Sequence, residues 1–366
     1  MDPRVDKLAR LLASYSLEVR SGDRVLMHGD VATLPLVRAF YAQVVKLGGL
    51  PELIVEDQHC YEALLRHASD EQLLTPSPSY HRAVETAQAY LTVWGNANTR
   101  YLSNIDPERM QLVHRGREAV ERLMLEREQR KEIRWCGTQF PTEAGAQEAN
   151  MSLGEYEDFC YSACLLDRED PVSEWREAKR EQEQICARLE RKRSIRILAE
   201  GTDLKMSIAG RPWVRCAGKV NMPDGEVYTS PVEDSLEGHI RFSFPGIEMG
   251  QEIDDIHLWF EKGRVVRAEA AKGEALLKRL IQTDAGACYA GELGIGTNYG
   301  IKRFTRNMLF DEKIGGTVHV ALGRGFPQSG GTNFSVIHWD MLCDMRQGGE
   351  LIADGEVIYR DGRFLP

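Results

Sequence analysis

In the first 140 residues of the chain, apolar positions alternate between helical spacing and short β-type runs. The segment 5–19 places Val5, Leu8 and Leu12 on one side of a helix, and a glycine pair at 48–49 ends the next helical segment. Strand and helix therefore alternate, which is typical of a parallel sheet covered by helices. The predicted helices are residues 5–19, 35–47, 61–73 and 106–130, and the predicted strands are 24–28, 52–56, 89–94 and 133–136.

The pattern changes after residue 194, where short apolar runs are separated by tight turns. A Lys-Gly pair at 262–263 joins two such runs in a predicted hairpin, and Asp-Gly pairs at 354–355 and 361–362 mark another hairpin near residue 366. These features predict a mixed, largely antiparallel sheet with one helix at 272–282. The predicted strands are residues 194–199, 203–208, 227–230, 240–244, 257–261 and 265–269.

A charged helical stretch at 175–191 lies between the two patterns, and we interpret it as a connector. A chain of 366 residues is long enough to form two hydrophobic cores. We therefore predict an α/β protein with an N-terminal parallel α/β domain at 1–165. A largely antiparallel α+β domain is predicted at 190–366.

Charge and composition exclude several classes of protein. Lys and Arg number 46 against 56 Asp and Glu, for a formal net charge of −10, and no basic run is present that could follow a phosphate backbone. No apolar run approaches the length of a membrane span. The eight cysteines are scattered without a Cys-x-x-Cys pair, as in reduced proteins. We expect a cytoplasmic protein that binds neither nucleic acid nor membranes.

Two predicted strands in the second half carry side chains that chelate metals. Strand side chains alternate between faces, so His338 and Asp340 point to the same side of the strand at 336–341. His319 lies on the small-residue face of the strand at 317–322, opposite its valines. Two imidazoles and one carboxylate are ligands that suit Zn, Co, Mn or Fe. The sequence therefore predicts that this second domain binds metal.

Two acidic residues stand among glycines and apolar neighbours. Glu226 follows a tight turn and enters a strand, and Glu292 lies between small residues that leave little bulk to shield a charge. An acid in such surroundings needs a partner, and a metal ion is one. The other interpretation, two glutamates in surface turns, stays open at this point. Glycine-rich phosphate loops, a His-Glu-x-x-His helix and a Gly-x-Ser-x-Gly elbow are missing from the sequence.

These residues belong to stretches that resemble the aminopeptidase T and aminopeptidase S family of dinuclear metallopeptidases. The resemblance covers most of the chain from about residue 150 onward and is looser before that. The stretches are NMPDGEVYTSP at 221–231, GELG at 291–294, LFDEK at 309–313, HVALG at 319–323 and IHWDM at 337–341.

The resemblance implies a specific site and reaction. The family's five metal ligands match Glu226, Glu292, His319, His338 and Asp340. Two divalent ions, Zn, Co, Mn or Mg, would activate a water that attacks the first peptide bond of a substrate with a free amino terminus. Glu292 is the candidate for the bridging or proton-carrying role. The family further implies a homodimer.

One position departs from the family pattern. The family has a tyrosine shortly after the first histidine, and the matching residue here is Phe326, which we expect to contact substrate. The loop between His319 and His338 is also shorter than in the best-known members. Phenylalanine lacks the hydroxyl that helps to hold an oxyanion, and loss of one such donor costs roughly a hundredfold in rate.

Two alternatives to the two-metal aminopeptidase remain. His319, His338 and Asp340 form the residue set of a mononuclear Fe(II) facial triad, and ring-cleaving dihydroxypyridine dioxygenases are similar to the same family. That interpretation leaves Glu226 and Glu292 without a role. The second alternative is a metal-binding pseudoenzyme that has kept the fold and lost the chemistry.

Overall fold

The structure is a computed structural model that describes residues 2–248 and 251–366. It divides into two compact units. The first comprises residues 2–174 and 218–223, and the second comprises the described residues of 175–217 and 224–366. The domain limits expected from the sequence, 1–165 and 190–366, stay a prediction about independently folding domains.

The regular elements are numbered in chain order. The α-helices are α1 Pro3–Leu11, α2 Leu34–Lys46, α3 Gln58–His67, α4 Asp70–Leu74, α5 Pro78–Thr86, α6 Pro107–Gln129, α7 Glu143–Glu148, α8 Leu153–Ala163, α9 Pro171–Leu189, α10 Glu274–Leu280 and α11 Met308–Asp311. The strands are β1 Arg24–Asp30, β2 Leu50–Glu56, β3 Ala89–Trp94, β4 Arg134–Gln139, β5 Ser194–Ala199, β6 Thr202–Ser207, β7 Val214–Cys216, β8 Asn221–Met222, β9 Glu226–Thr229, β10 Glu237–Phe242, β11 Gly246–Glu248, β12 Gln251–Ile253, β13 Ile256–Glu261, β14 Arg264–Glu269, β15 Ala290–Gly296, β16 Thr317–Gly323, β17 His338–Asp344, β18 Glu350–Ala353, β19 Glu356–Arg360 and β20 Arg363–Phe364.

The first unit is built on a parallel sheet with the strand order β2-β1-β3-β4-β8. Helices connect β1 to β2, β2 to β3 and β3 to β4, because parallel neighbours require a crossover. The expected parallel α/β layer is confirmed. A single helix at 61–73 was expected, and this is wrong. The chain forms α3 and α4 instead, because Ser69 and Gln72 make a reciprocal capping box that starts a new helix.

The second unit is built on antiparallel sheets. One has the order β14-β13-β10-β6-β5-β18-β19-β20, another has the order β17-β16-β15-β9-β7, and β11 pairs with β12. The expected largely antiparallel arrangement is therefore confirmed. We call the β17-β16-β15-β9-β7 sheet the site sheet, since it carries all five metal-ligand candidates predicted from the sequence.

One face of the site sheet forms part of the core of the second unit. Leu293 from β15, Val318 and Val320 from β16 and Met341 from β17 are buried in one cluster with Ile197 from the other large sheet. Alternation along each strand then places the intervening residues on the opposite face. The polar candidates are consequently held on one side of a sheet whose other side is fixed by packing.

Candidate metal centre

Strand register brings three of the candidates onto one end of the site sheet. Glu292 is paired with Ala321, and Ala321 is paired with Asp340 on the next strand. His338 stands two residues before Asp340, opposite Gly323, and so shares its face. The small side chain of Ala321 leaves the space between the two carboxylates open.

His319 and Glu226 occupy the same face a short distance along the strands. His319 is paired with Gly294, and Glu226 is paired with Gly296. A Cβ atom built on Gly294 would lie 1.9 Å from Nε2 of His319. The imidazole therefore fills the space that a side chain at position 294 would occupy, and only glycine admits it there.

The five side chains form two overlapping groups. Nε2 of His319 lies 3.2 Å from Oε2 of Glu226 and 3.2 Å from Oε1 of Glu292. Nε2 of His338 lies 3.5 Å from Oδ2 of Asp340 and 3.9 Å from Oε2 of Glu292. In each group the possible ligand atoms all lie within 4.8 Å of one another. Glu292 belongs to both groups, with one oxygen directed to each.

Burial and unmet hydrogen bonding show that this cluster fits a cation. Glu226, Glu292 and Asp340 are 6%, 5% and 7% exposed, which contradicts the interpretation of Glu226 and Glu292 as surface-turn residues. Oε2 of Glu226 and Oδ1 of Asp340 are buried and accept no hydrogen bond. Buried carboxylate oxygens without donors are costly, and a bound cation removes that cost.

In the absence of ions, the close packing of buried acids changes the pKa values of the carboxyl groups in the cluster. Burial raises the pKa of Glu292 to about 7, and burial together with the charge of Glu312 raises that of Asp340 to about 7. Burial also opposes ionisation of Glu226, but Lys313 and His319 outweigh it and lower the pKa of this carboxyl. A divalent ion would replace the protons that the raised pKa values retain.

His338 and Phe326 lie together at the edge of the cluster. Nδ1 of His338 lies 2.8 Å from the carbonyl oxygen of Arg324, so an N–H at Nδ1 donates there and leaves Nε2 as the free lone pair. The ring of Phe326 is 4.7 Å from the His338 ring and 6.1 Å from that of Tyr228. The half-buried Phe326 is therefore an apolar wall beside the candidate ligands.

Sequence reasoning did not assign a site role to several residues beside this cluster. Lys313 is fully buried, with Nζ 3.8 Å from Oε1 of Glu226 and in an ion pair with Glu312. Cys216 and Asp224 form a further group with Glu226. The LFDEK stretch at 309–313 marks the Glu312-Lys313 pair only through the family resemblance. Its residue types alone are typical of an ordinary charged turn, because the burial depends on contacts with distant strands.

This grouping of acids and imidazoles on one face of a packed antiparallel sheet is typical of metal-dependent enzymes. The chain belongs to the thermophilic metalloprotease (M29) family, whose sequence model matches residues 1–364. The expected family resemblance is confirmed. The family also supports divalent metal as the cofactor class.

The chain is also similar to a protein with a named activity. The chain is 27% identical to aminopeptidase T from Thermus thermophilus, over 99% of this chain and 96% of the relative. With the family, this likeness confirms the expected class of enzyme, a metalloaminopeptidase and therefore a hydrolase.

Two solved structures share the fold. Wild-type AmpT from Thermus thermophilus matches with a TM-score of 0.84 at 24% identity, covering 100% of this chain and 99% of that chain. A 2,5-dihydroxypyridine dioxygenase from Pseudomonas putida KT2440 matches with a TM-score of 0.60 at 13% identity, covering 100% and 98%. The dioxygenase likeness concerns the fold alone, and the Fe(II) alternative is not favoured.

Across residues 2–248 and 251–366, none of the helices combines the length and the apolar character needed to cross a bilayer.

Proposed function

We propose that this protein is an aminopeptidase that would hold two divalent ions with side chains of the site sheet. The observation that carries the proposal is the position of Glu292, which belongs to both ligand groups. One ion would be held by Glu226, Glu292 and His319. The other would be held by Glu292, His338 and Asp340, so that the carboxylate of Glu292 is shared between the two ions.

Different residues of the chain would have different roles in peptide-bond hydrolysis. When bound, the ions supply a water of lowered pKa and polarise the substrate carbonyl. Glu292 would bridge the ions or carry the proton of that water to the leaving amine, since its carboxylate belongs to both ligand groups. Phe326 would contact the substrate as an apolar wall, without a hydroxyl for the oxyanion.

The similarity to a known aminopeptidase and the chemistry of the ligands support proposals for the substrate, the ions, the oligomeric state and the compartment. We propose peptides with a free amino terminus as substrates, because the matched relative is named an aminopeptidase. Zn, Co, Mn and Mg are the proposed ions, because carboxylate and imidazole ligands suit them. We further propose a homodimer in the cytoplasm. The eight cysteines, which form no disulfide in the structure, agree with a reducing compartment.

Metal content and aminopeptidase activity of the same preparation test the proposal. We expect about two ions per chain by elemental analysis and release of the first residue from a peptide panel. Glu292→Ala should abolish that release. Glu274→Ala, which removes an exposed glutamate paired with Lys278, should preserve it. One iron per chain with oxygen consumption on a dihydroxylated aromatic would refute the proposal, and two ions without hydrolysis of any peptide would indicate a pseudoenzyme.

A further inference from the structure

A fully buried lysine lies against the metal-ligand candidates. The side chain of Lys313 is 0% exposed, and its Nζ lies 3.8 Å from Oε1 of Glu226. A second ion pair joins it to Glu312, the preceding residue. Lysine is almost never fully buried unless its charge is paired, so these carboxylates are the reason that it remains inside.

The ammonium of Lys313 occupies an acidic region next to the centre. Asp224, Glu226 and Glu312 all stabilise its charged form and raise its pKa, against the opposing effect of burial. Asp224 and Glu226 also form a possible ligand group with Cys216. Because the ammonium already neutralises the acids of this group, it takes the place that a further cation would have there.

Lys313 also distinguishes the two oxygens of Glu226. Oε1 faces the ammonium, whereas Oε2 lies 3.2 Å from Nε2 of His319 and accepts no hydrogen bond. Oε2 is therefore the oxygen left for an ion.

The two ligand groups differ in this respect. Within residues 2–248 and 251–366, Asp340 forms an ion pair with His338 but with no lysine or arginine. The group of Glu292, His338 and Asp340 thus has no ion pair with a lysine or arginine in the described residues. The group that contains Glu226 shares its charge with the ammonium of Lys313.

We propose that Lys313 is a positioning residue that makes the two ion sites unequal. Its ammonium holds one oxygen of Glu226 and repels the neighbouring ion. The ion bound by Glu226, Glu292 and His319 is consequently the weaker and more exchangeable one. This inference rests on the proposed two-ion function. It adds that Lys313 gives the two ion sites different affinities.

The test is a titration of ion-free protein with Zn²⁺ or Co²⁺, followed by calorimetry and, for Co²⁺, by visible absorption. Wild type should bind in two separated steps. Lys313→Met should tighten the weaker step about tenfold or more and bring the two steps together, because the repelling charge is gone. A weaker step in the folded variant would show that orientation of Glu226 outweighs repulsion, and it would overturn the inference. Lys278→Met removes an exposed lysine that is ion-paired with Glu274, and it should leave both steps unchanged. Unchanged steps in folded Lys313→Met would overturn the inference.

Thermal unfolding of the ion-free proteins gives a readout independent of activity. Lys313→Met should melt several degrees below wild type, and ions should restore most of the difference. If the variant does not fold, the double variant Lys313→Met/Glu226→Gln decides. A folded double variant supports a charge partnership between Lys313 and Glu226. An unfolded one shows that Glu226 is not the partner for which the charge of Lys313 is needed, and it would overturn the inference.

Failure of the two-ion function would appear differently. Wild type that binds one ion while Lys313→Met binds two would refute the proposed two-ion state and support the role of Lys313. One ion of equal affinity in both proteins would refute both proposals.

Discussion

Gly294 provides a sharp test of the site geometry, because the imidazole of His319 occupies the place of its missing side chain. A Cβ atom at position 294 would lie 1.9 Å from Nε2, 2.1 Å from Cε1 and 2.8 Å from Cδ2 of His319. The ring would have to move by roughly 1.5 Å to regain ordinary van der Waals contact. Gly294→Ala therefore displaces His319 without changing any candidate ligand.

The displacement of His319 predicts a loss of both bound ion and catalytic activity. Nε2 of His319 now lies 3.2 Å from both Glu226 and Glu292. Metal sites tolerate errors of only about 0.2 Å in ligand position, and a misplacement of about 1 Å can cost roughly a hundredfold in rate. We expect Gly294→Ala to lose one bound ion per chain and at least about a hundredfold in kcat/KM.

Elemental analysis after dialysis and initial rates on a peptide substrate measure both quantities. Gly154→Ala is the matched control, since a Cβ there meets no atom within 4 Å. The control should keep both ions and full activity. Wild-type ion content and activity in a folded Gly294→Ala protein would refute the placement of His319 as a ligand.

Two further predictions concern the oxyanion and the dependence on pH. Phe326→Tyr should raise kcat about tenfold or more by restoring an oxyanion donor. The same change at Phe334, which is 81% exposed, should have no effect on kcat. An unchanged kcat in Phe326→Tyr would show that the ring at position 326 does not face the reacting carbonyl. Burial raises the pKa of Glu292 and Asp340 to about 7 from ordinary values of 4.5 and 3.8, so the ion-free fold holds more protons than the unfolded chain between these values. The stability of the ion-free protein against urea should therefore fall as the pH rises from about 4 to about 7. Saturating Zn²⁺ should remove this slope, and a rising slope without ions would contradict the prediction.

The shared face of the candidate residues could be predicted because strand alternation is a local property. His338 and Asp340 are two residues apart, so the period of a strand alone places both on one side. The observed register agrees, with Asp340 beside Ala321 and His338 beside Gly323. The parallel α/β layer was predictable for a similar reason, since each helix and strand carries its own apolar spacing.

The strand around Glu292 could not be predicted in the same way. β15 contains Gly291, Gly294 and Gly296 and has low intrinsic strand propensity, which is why a surface turn stayed open as an interpretation. Its pairing with β9 and β16 supplies the structure that its composition does not favour. The burial of Lys313 was equally inaccessible, because it depends on Glu226, a residue distant in the sequence.

Because the site sheet has one apolar face and one ligand-bearing face, the amount of ion that the protein binds depends on whether its strands have paired in the correct register. A slip of one residue between β15 and β16 would turn one strand over relative to the other, so that either Glu292 or His319 would face the apolar core in place of Leu293 or Val318. Such a misfolded chain would not bring the candidate ligands onto one face. In a refolding experiment, the molar uptake of divalent ion would then count correctly paired molecules, even where the overall strand content of the misfolded ones is the same.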